Sequence, residues 1–271
     1  MTKENLIIGA IAGDIIGSVY EWHNIKTVDF DLFCHKSTFT DDSVLTLATM
    51  DAILNQKSYT EAYHEFGRKY KAGYGPSFYK WIQSETPKPY YSWGNGSAMR
   101  VSPVGWFGNS LEDVMIKARE SAEVTHNHSE GIKGAQATAV AIYMAKTGSS
   151  KDEIKKFITD TFYYNLNRKI DDIRPYYKFD VSCQGSVPEA IIAFLESTNF
   201  ENAIRLAVSI GGDSDTIACI TGGIAEAYYK TIPDYIIENV LKVLPGELVK
   251  ILEDFSSKYG KNWSEEDKIK F

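Results

Sequence analysis

Residues 209–229 have the sequence SIGGDSDTIACITGGIAEAYY, in which a cluster of glycine and aspartate precedes a predicted helix over 217–229. Apolar residues recur at helical spacing nearly throughout the rest of the chain, for example at Leu47, Met50 and Leu54. Sustained strand alternation is absent, and clusters of Gly, Pro, Ser and Asn separate the apolar runs. The pattern predicts an all-α fold of about a dozen short helices.

The composition is that of a globular protein with a sizeable core. Of its 271 residues, 44% are hydrophobic and 24% are charged, which argues against disorder. A chain of this length fits one large domain or two small ones. Because no repeat, low-complexity tract or composition shift marks a linker, we expect residues 1–271 to form a single compact domain.

Charge and cysteine content limit the possible partners. The net charge of −7 argues against broad binding to nucleic acid or anionic membranes. Cys34, Cys183 and Cys219 are distant in sequence and odd in number, so neither a disulfide framework nor a thiolate zinc site is indicated. Asp14 follows the apolar run 6–12 too closely for a membrane span or a signal peptide. We therefore expect a cytoplasmic monomer with neither nucleic acid nor membrane as a partner.

Two acidic clusters stand at the starts of predicted helices, over 43–55 and 217–229. Either cluster alone would be a helix cap, because side-chain oxygens there accept from free backbone N–H groups. Together they supply four carboxylates and two hydroxyls, an oxygen-only set that suits Mg²⁺, Mn²⁺ or Ca²⁺ rather than zinc. If the clusters converge, the repulsion among four carboxylates favours two divalent ions. The candidate ligands are Thr40, Asp41, Asp42, Asp213, Asp215 and Thr216.

The amino-terminal segment GAIAGDIIGSVYEW adds a third element. Helical spacing places Asp14, Gly17 and Glu21 on one face, and Gly9, Gly13 and Gly17 line the neighbouring stripe. Each glycine inside a helix costs about 1 kcal/mol relative to alanine, so three at a spacing of four indicate close approach by another helix or a ligand. The alternative is a tightly packed core helix with Glu21 merely solvated.

Five motifs follow one another along the chain: GAIAGDIIGSVYEW, FTDDSVLT, GNGSAMRVSPVGW, THNHSEGIKGAQATA and SIGGDSDTIACITGGIAEAYY. Together they resemble the ADP-ribosylglycohydrolase family, and the resemblance spans residues 6 to about 230. It implies a compact, orthogonal multi-helix bundle with a binuclear Mg²⁺ or Mn²⁺ centre, two ions per chain, at the base of a cleft that accepts ADP-ribose.

The resemblance also implies roles for individual residues. The family's metal ligands fall on the six candidates named above. Glu21 matches a glutamate beside the metals, and we predict it to be catalytic together with Asp41 and Asp213. The family's phosphate and ribose loop and a histidine near the phosphates imply six substrate-binding residues, in which a Trp replaces the Tyr of some relatives. These are Ser92, Trp93, Gly94, Asn95, Gly96 and His126.

The implied reaction is hydrolysis of the C1″ glycosidic bond between ADP-ribose and an acceptor, which is a protein side chain or a small molecule. An oxocarbenium-like transition state of this kind usually needs carboxylates to assist the leaving group and to activate water. Two other functions remain open. One is an ADP-ribose or nucleotide binder without turnover, since fold does not guarantee activity. The other is a different hydrolysis at the same metals, such as that of O-acetyl-ADP-ribose or a phosphoester.

Three further segments have competing interpretations. His126-Asn127-His128 is similar to an HNH or HxH zinc motif, but no other His or Cys cluster completes a zinc site. The aromatic and charged segment 163–180 is either a nucleotide-stacking surface or a partly buried connection, and we favour the connection. Residues 183–188 fall where the resemblance implies a loop near the adenine.

Overall fold

The structure is a computed structural model that describes residues 6–260, and over this range it contains fifteen α-helices and no β-strand. The all-α prediction is confirmed, with more helices than the dozen expected. In chain order the helices are α1 (Gly9–Gly17), α2 (Asp41–Asn55), α3 (Tyr59–Lys69), α4 (Pro76–Gln83), α5 (Gly96–Met99), α6 (Ser102–Phe107), α7 (Leu111–Glu123), α8 (Ser129–Lys146), α9 (Lys151–Phe162), α10 (Ile170–Ile173), α11 (Cys183–Glu196), α12 (Phe200–Ser209), α13 (Ser214–Tyr229), α14 (Asp234–Val243) and α15 (Gly246–Tyr259).

A single cluster of buried apolar side chains extends from Leu6 to Phe255. Helix α13 lies at its centre and is buried along nearly its whole length. Among the described helices, none combines the length and the apolar character needed to span a bilayer. The one-domain organisation of residues 1–271 stays a prediction, because both chain ends lie outside the described residues.

Helix α1 lies directly on the backbone of α13. A Cβ atom added at Gly13 would stand 2.0 Å from the carbonyl oxygen of Ala218, and one at Gly17 would stand 2.5 Å from the Cα of Asp215. These distances leave no room for any side chain between the two helices. The glycine stripe therefore serves close contact with a helix, which is one of the alternatives that the sequence left open.

Both ends of α1 are held by side chains of α13. The Glu226 carboxylate accepts the backbone N–H groups of Ile8 and Gly9, each at 2.8 Å. At the other end, the Ser214 hydroxyl donates to the carbonyl oxygen of Gly17 at 3.0 Å. Because the residue that precedes α1 offers no side-chain cap, α13 supplies the capping that an isolated helix would lack.

Helix α1 ends earlier than predicted. The Tyr20 N–H donates to the carbonyl oxygen of Gly17 at 2.8 Å, which closes a tighter turn than an α-helix makes. Glu21 consequently lies beyond the helix, and the prediction that Asp14 and Glu21 share one helix face is wrong.

Helices α2 and α13 begin earlier than predicted, at Asp41 and Ser214. Thr40 is the N-cap of α2 and its hydroxyl accepts the N–H of Asp42 at 3.3 Å. Asp41, Asp42 and Asp215 are thus part of the first helical turns instead of preceding them. Their side chains are therefore fixed by helical geometry and not by flexible loops.

We predict that Gly13→Ala destabilises the protein. The added methyl group would collide with backbone atoms of Ala218, and overpacking of this kind costs about 1–3 kcal/mol, more than the roughly 1 kcal/mol that helix propensity returns. Urea unfolding measures the difference. Gly246→Ala is the matched control, because Gly246 begins α15 and a Cβ there meets open space. Equal unfolding free energies for the two variants would contradict the close contact.

Candidate functional site

The two acidic clusters converge in the folded chain. Asp42 and Asp215 form one group of mutually close carboxylates with Asp14, and Asp215 forms a second with Glu21 and Asp213. Within each group, one oxygen from every residue lies within 4.8 Å of the others. The Thr216 hydroxyl reaches Asp42 Oδ2 at 3.4 Å across 174 positions of sequence. Asp215 therefore belongs to both groups and joins them.

Asp14 organises the first turn of α2, and sequence reasoning did not include it among the site residues. Its fully buried carboxylate accepts the backbone N–H groups of Thr40 at 2.9 Å and Ser43 at 3.0 Å, and also both of their hydroxyls. It thereby caps α2 from another helix and fixes the position of Asp42. The signal in the sequence was an acidic residue within the otherwise apolar helix GAIAGDIIG.

A tight turn delivers Asp213 to the cluster. Gly211 and Gly212 have φ values of +75° and +73°, a conformation that favours glycine. The Asn24 side chain fixes this turn, since its Oδ1 accepts the Gly212 N–H at 2.7 Å and its Nδ2 donates to the Gly212 carbonyl oxygen at 3.0 Å. Asp213 occupies the N-cap of α13 yet forms no side-chain capping bond. Capping therefore does not account for this carboxylate.

Burial and mutual repulsion dominate the electrostatics of the cluster. Burial first, and then neighbouring carboxylates, raises the pKa of Asp42 and of Asp215 well above the usual range. Burial and the charge of Asp14 raise the pKa of Asp41 to about 8. Burial and then the charge of Asp213 raise the pKa of half-buried Glu21 to about 7. The raised pKa values mean that these carboxylates do not all stay ionised together unless additional positive charge is supplied to the cluster.

A hard divalent cation fits this arrangement. Asp42 Oδ1 is buried without a hydrogen-bond partner, although such atoms are normally satisfied. The surrounding donors are carboxylate and hydroxyl oxygens, the ligands that Mg²⁺ and Mn²⁺ prefer. A bound cation would satisfy the free oxygen and relieve the repulsion. Of the six predicted ligands, only Thr40 does not line the cleft, and its hydroxyl donates to Asp14.

The acidic cluster lies in a cleft of about 490 Å³, a volume typical of small-molecule sites. Predicted substrate-binding residues that line this cleft are Ser92, Gly94, Asn95, Gly96 and His126. Trp22 and Phe179 also line it, and their rings stack at 5.3 Å while remaining 74% and 44% exposed.

Trp93 is the one predicted substrate-binding residue that does not line the cleft. Its side chain is 53% exposed, and its ring meets the His128 ring edge-on at 5.6 Å. The structure therefore places Trp93 beside the cleft, packed against the start of α8.

Asn95 connects the predicted phosphate loop to the acidic cluster. Its side-chain amide donates to Asp213 Oδ2 at 2.7 Å and to the Ser186 hydroxyl at 3.0 Å, and its backbone N–H donates to the Val181 carbonyl oxygen at 2.8 Å. The amide is thus used within the protein. Any contact of Asn95 with a ligand would come from the remaining atoms.

The structure also shows the environment of the three segments for which the sequence left competing interpretations. His128 Nδ1 accepts the Glu130 N–H at 3.0 Å as the N-cap of α8, and no described histidine belongs to a group of candidate metal ligands. Residues 183–188 form the first turns of α11, so the expectation of a loop at these positions is wrong. The Ser182 hydroxyl caps this helix. Segment 163–180 contains both buried and exposed side chains, and those of Ile170 and Ile173 are buried.

Comparison with known proteins agrees with these observations. Residues 4–265 match the family model described as ADP-ribosylglycohydrolase. ADP-ribosylhydrolase ARH3 of Mus musculus is 26% identical over 306 aligned positions, covering 82% of this chain and 82% of the relative. ARH3 of Homo sapiens is also 26% identical, covering 82% and 84%. A solved structure called "ADP-ribosylglycohydrolase-related protein complex" has a TM-score of 0.66 at 21% identity and covers 94% of both chains, so it shares the fold.

We predict opposite effects of Asp213→Asn on stability with and without Mg²⁺. In EDTA the variant should melt at the same or a higher temperature than the wild type, because one repelling charge is gone. It should also lose most of the stabilisation that the wild type gains from Mg²⁺ binding to the native state. Thermal melts across a Mg²⁺ titration measure both effects.

Asp234→Asn is the control for that titration, since Asp234 is an exposed acid in the first turn of α14. It should respond to Mg²⁺ as the wild type does. An equal gain from Mg²⁺ in Asp213→Asn would remove Asp213 from the metal site.

Proposed function

We propose, because this chain belongs to the ADP-ribosylglycohydrolase family, that it hydrolyses the C1″ glycosidic bond between ADP-ribose and an acceptor with the help of divalent cations. The acceptor is a protein side chain or a small molecule. One observation carries the proposal: two acidic clusters, distant in sequence, meet in a cleft together with Glu21.

The metal-holding residues we assign are Asp41, Asp42, Asp213, Asp215 and Thr216, all of which line the cleft. We propose two ions, because the assigned ligands Asp42 and Asp213 lie in different groups of close carboxylates that share Asp215. When bound, Mg²⁺ or Mn²⁺ neutralises the carboxylates and supplies Lewis-acid stabilisation to oxygen atoms. Thr40 contributes indirectly, since it caps α2 and orients Asp42.

Glu21 is the residue we assign to proton transfer. The reaction adds a water oxygen to C1″, breaks the bond from C1″ to the acceptor, and transfers one water proton to the acceptor atom that leaves. A carboxyl group within hydrogen-bond reach is needed to take or give that proton. Glu21 lies at the edge of the acidic cluster on a non-helical segment, and it lines the cleft, so its carboxyl group is placed to take or give that proton.

The substrate's diphosphate is assigned to the part of the cleft wall that the loop around Asn95 forms. Ser92 and the segment Gly94–Gly96 present small side chains there, and buried His126 lies beneath them. The Ser92 hydroxyl accepts the Gly94 N–H at 3.1 Å, which shapes the loop before a ligand arrives. A preorganised loop with little side-chain bulk suits an anion that must approach the backbone.

The experiment that tests this function is product analysis on four substrates: ADP-ribosyl-arginine, ADP-ribosyl-serine, O-acetyl-ADP-ribose and poly(ADP-ribose). We expect free ADP-ribose from at least one of them with Mg²⁺ or Mn²⁺, and none in excess EDTA. Glu21→Gln should retain ADP-ribose binding but lower the rate by about two orders of magnitude or more, the usual effect of losing an acid or base.

Glu253→Gln is the matched control, because Glu253 is an exposed acid on α15, and its rate should equal that of the wild type. Full turnover in EDTA would contradict the metal requirement. Turnover of Glu21→Gln near the wild-type rate would exclude Glu21 from the chemistry. Binding of ADP-ribose without turnover of any substrate would favour a binding protein, and release of acetate alone would favour an esterase.

A further inference from the structure

Arg100 is a buried cation that the proposed function does not use. Its side chain is fully buried, and its Nη2 donates to two neutral oxygens, the Ser121 carbonyl at 3.0 Å and the Thr125 hydroxyl at 2.8 Å. Its Cζ stands 4.2 Å from the centre of the Tyr63 ring. Within the described part of the chain, its Nε and Nη1 have no hydrogen-bond partner, although Arg100 contributes to the lining of the cleft. A buried charge left this poorly compensated points to a role beyond packing.

Thr125 connects Arg100 to His126. The Thr125 hydroxyl lies 2.7 Å from His126 Nδ1. Because a guanidinium group only donates, the Thr125 oxygen must accept from Arg100, and its own proton can be donated either to His126 Nδ1 or to the Tyr90 hydroxyl, which also bonds to Thr125. Donation of that proton to Nδ1 leaves the proton of a neutral imidazole on Nε2.

The imidazole is neutral in this environment. Burial first, and then the charge of Arg100, lowers the pKa of His126 well below its usual range. A neutral histidine has one donor and one acceptor nitrogen. The hydrogen bond at Nδ1 therefore decides whether Nε2 donates or accepts.

The other nitrogen lies directly beneath the phosphate loop. A Cβ atom built at Gly96 would stand 3.2 Å from His126 Nε2, and one at Gly94 would stand 3.4 Å from it. Both glycines line the cleft. A proton on Nε2 is therefore placed next to the surface where we assign the diphosphate.

We propose that Arg100 is a positioning residue which, through the Thr125 hydroxyl, fixes His126 as the Nε2–H tautomer, so that this nitrogen donates to an anionic oxygen of the ligand. Identification of that ligand as ADP-ribose rests on the proposed function, whereas the tautomer is a property of the free protein. A purely structural Arg100, tying α5 to the end of α7 through Ser121, would not require the Thr125 hydroxyl.

The test compares Thr125→Val, which removes the hydroxyl at nearly constant volume, with Thr125→Ser, which keeps it. Nitrogen chemical shifts of ¹⁵N-labelled histidine report the His126 tautomer in the free protein, with His126→Gln identifying the signal. Calorimetry with ADP-ribose reports the affinity. We expect the Nε2–H form in the wild type and in Thr125→Ser. Thr125→Val should populate the Nδ1–H form and bind ADP-ribose about tenfold more weakly, the scale of one hydrogen bond to a charged group.

Thermal melts first establish that each variant is folded, and Thr125→Ala replaces Thr125→Val if the larger side chain prevents folding. A wild-type spectrum of Nδ1–H or doubly protonated His126 overturns the inference without any substitution. An unchanged tautomer or an unchanged affinity in the folded Thr125→Val or Thr125→Ala protein also overturns it. If the wild type does not bind ADP-ribose at all, the proposed function fails, while the tautomer still decides whether the Thr125 hydroxyl, which Arg100 holds, sets the position of the His126 proton.

Discussion

The contact between α1 and α13 is the constraint on which the rest of the site depends. The two backbones touch without side chains between them, and Glu226 and Ser214 of α13 hold the two ends of α1. This contact sets Asp14 beside the first turn of α13, and the Asp14 carboxylate in turn caps α2. Three helix segments from distant parts of the chain are thereby positioned relative to one another, and the acidic cluster forms where they meet.

The cluster is held together by the fold despite its own electrostatics. Gathering buried carboxylates is unfavourable, and their raised pKa values express that cost. Neutral donors such as the Asn95 amide offset part of it, and a bound cation would offset more. Because Asn95 also belongs to the loop that we propose holds the diphosphate, one side chain links the acidic cluster to that loop. A change that disorders either the acidic cluster or the loop that contains Asn95 should therefore also disorder the other.

The sequence predicted those features that depend on local spacing and residue type. Helical periodicity predicted the all-α fold, and the composition of the two acidic clusters predicted an oxygen-only ligand set. It missed what depends on contacts between distant residues. Nothing near Gly17 in sequence reveals that α1 stops there, so Glu21 was wrongly placed on its face. The capping of α2 by Asp14 and the use of the Asn95 amide by Asp213 likewise arise only when separate segments meet.

Anomalous diffraction from crystals grown with Mn²⁺ tests the central claim most directly, because it locates the ion without assuming any reaction. The account predicts anomalous peaks within about 2.5 Å of carboxylate oxygens of Asp42 and Asp215, inside the acidic cluster. A second peak should lie near Asp213, because Asp215 joins two groups of carboxylates. Mn²⁺ found only at exposed surface acids, with the cluster empty at saturating concentration, would contradict the account.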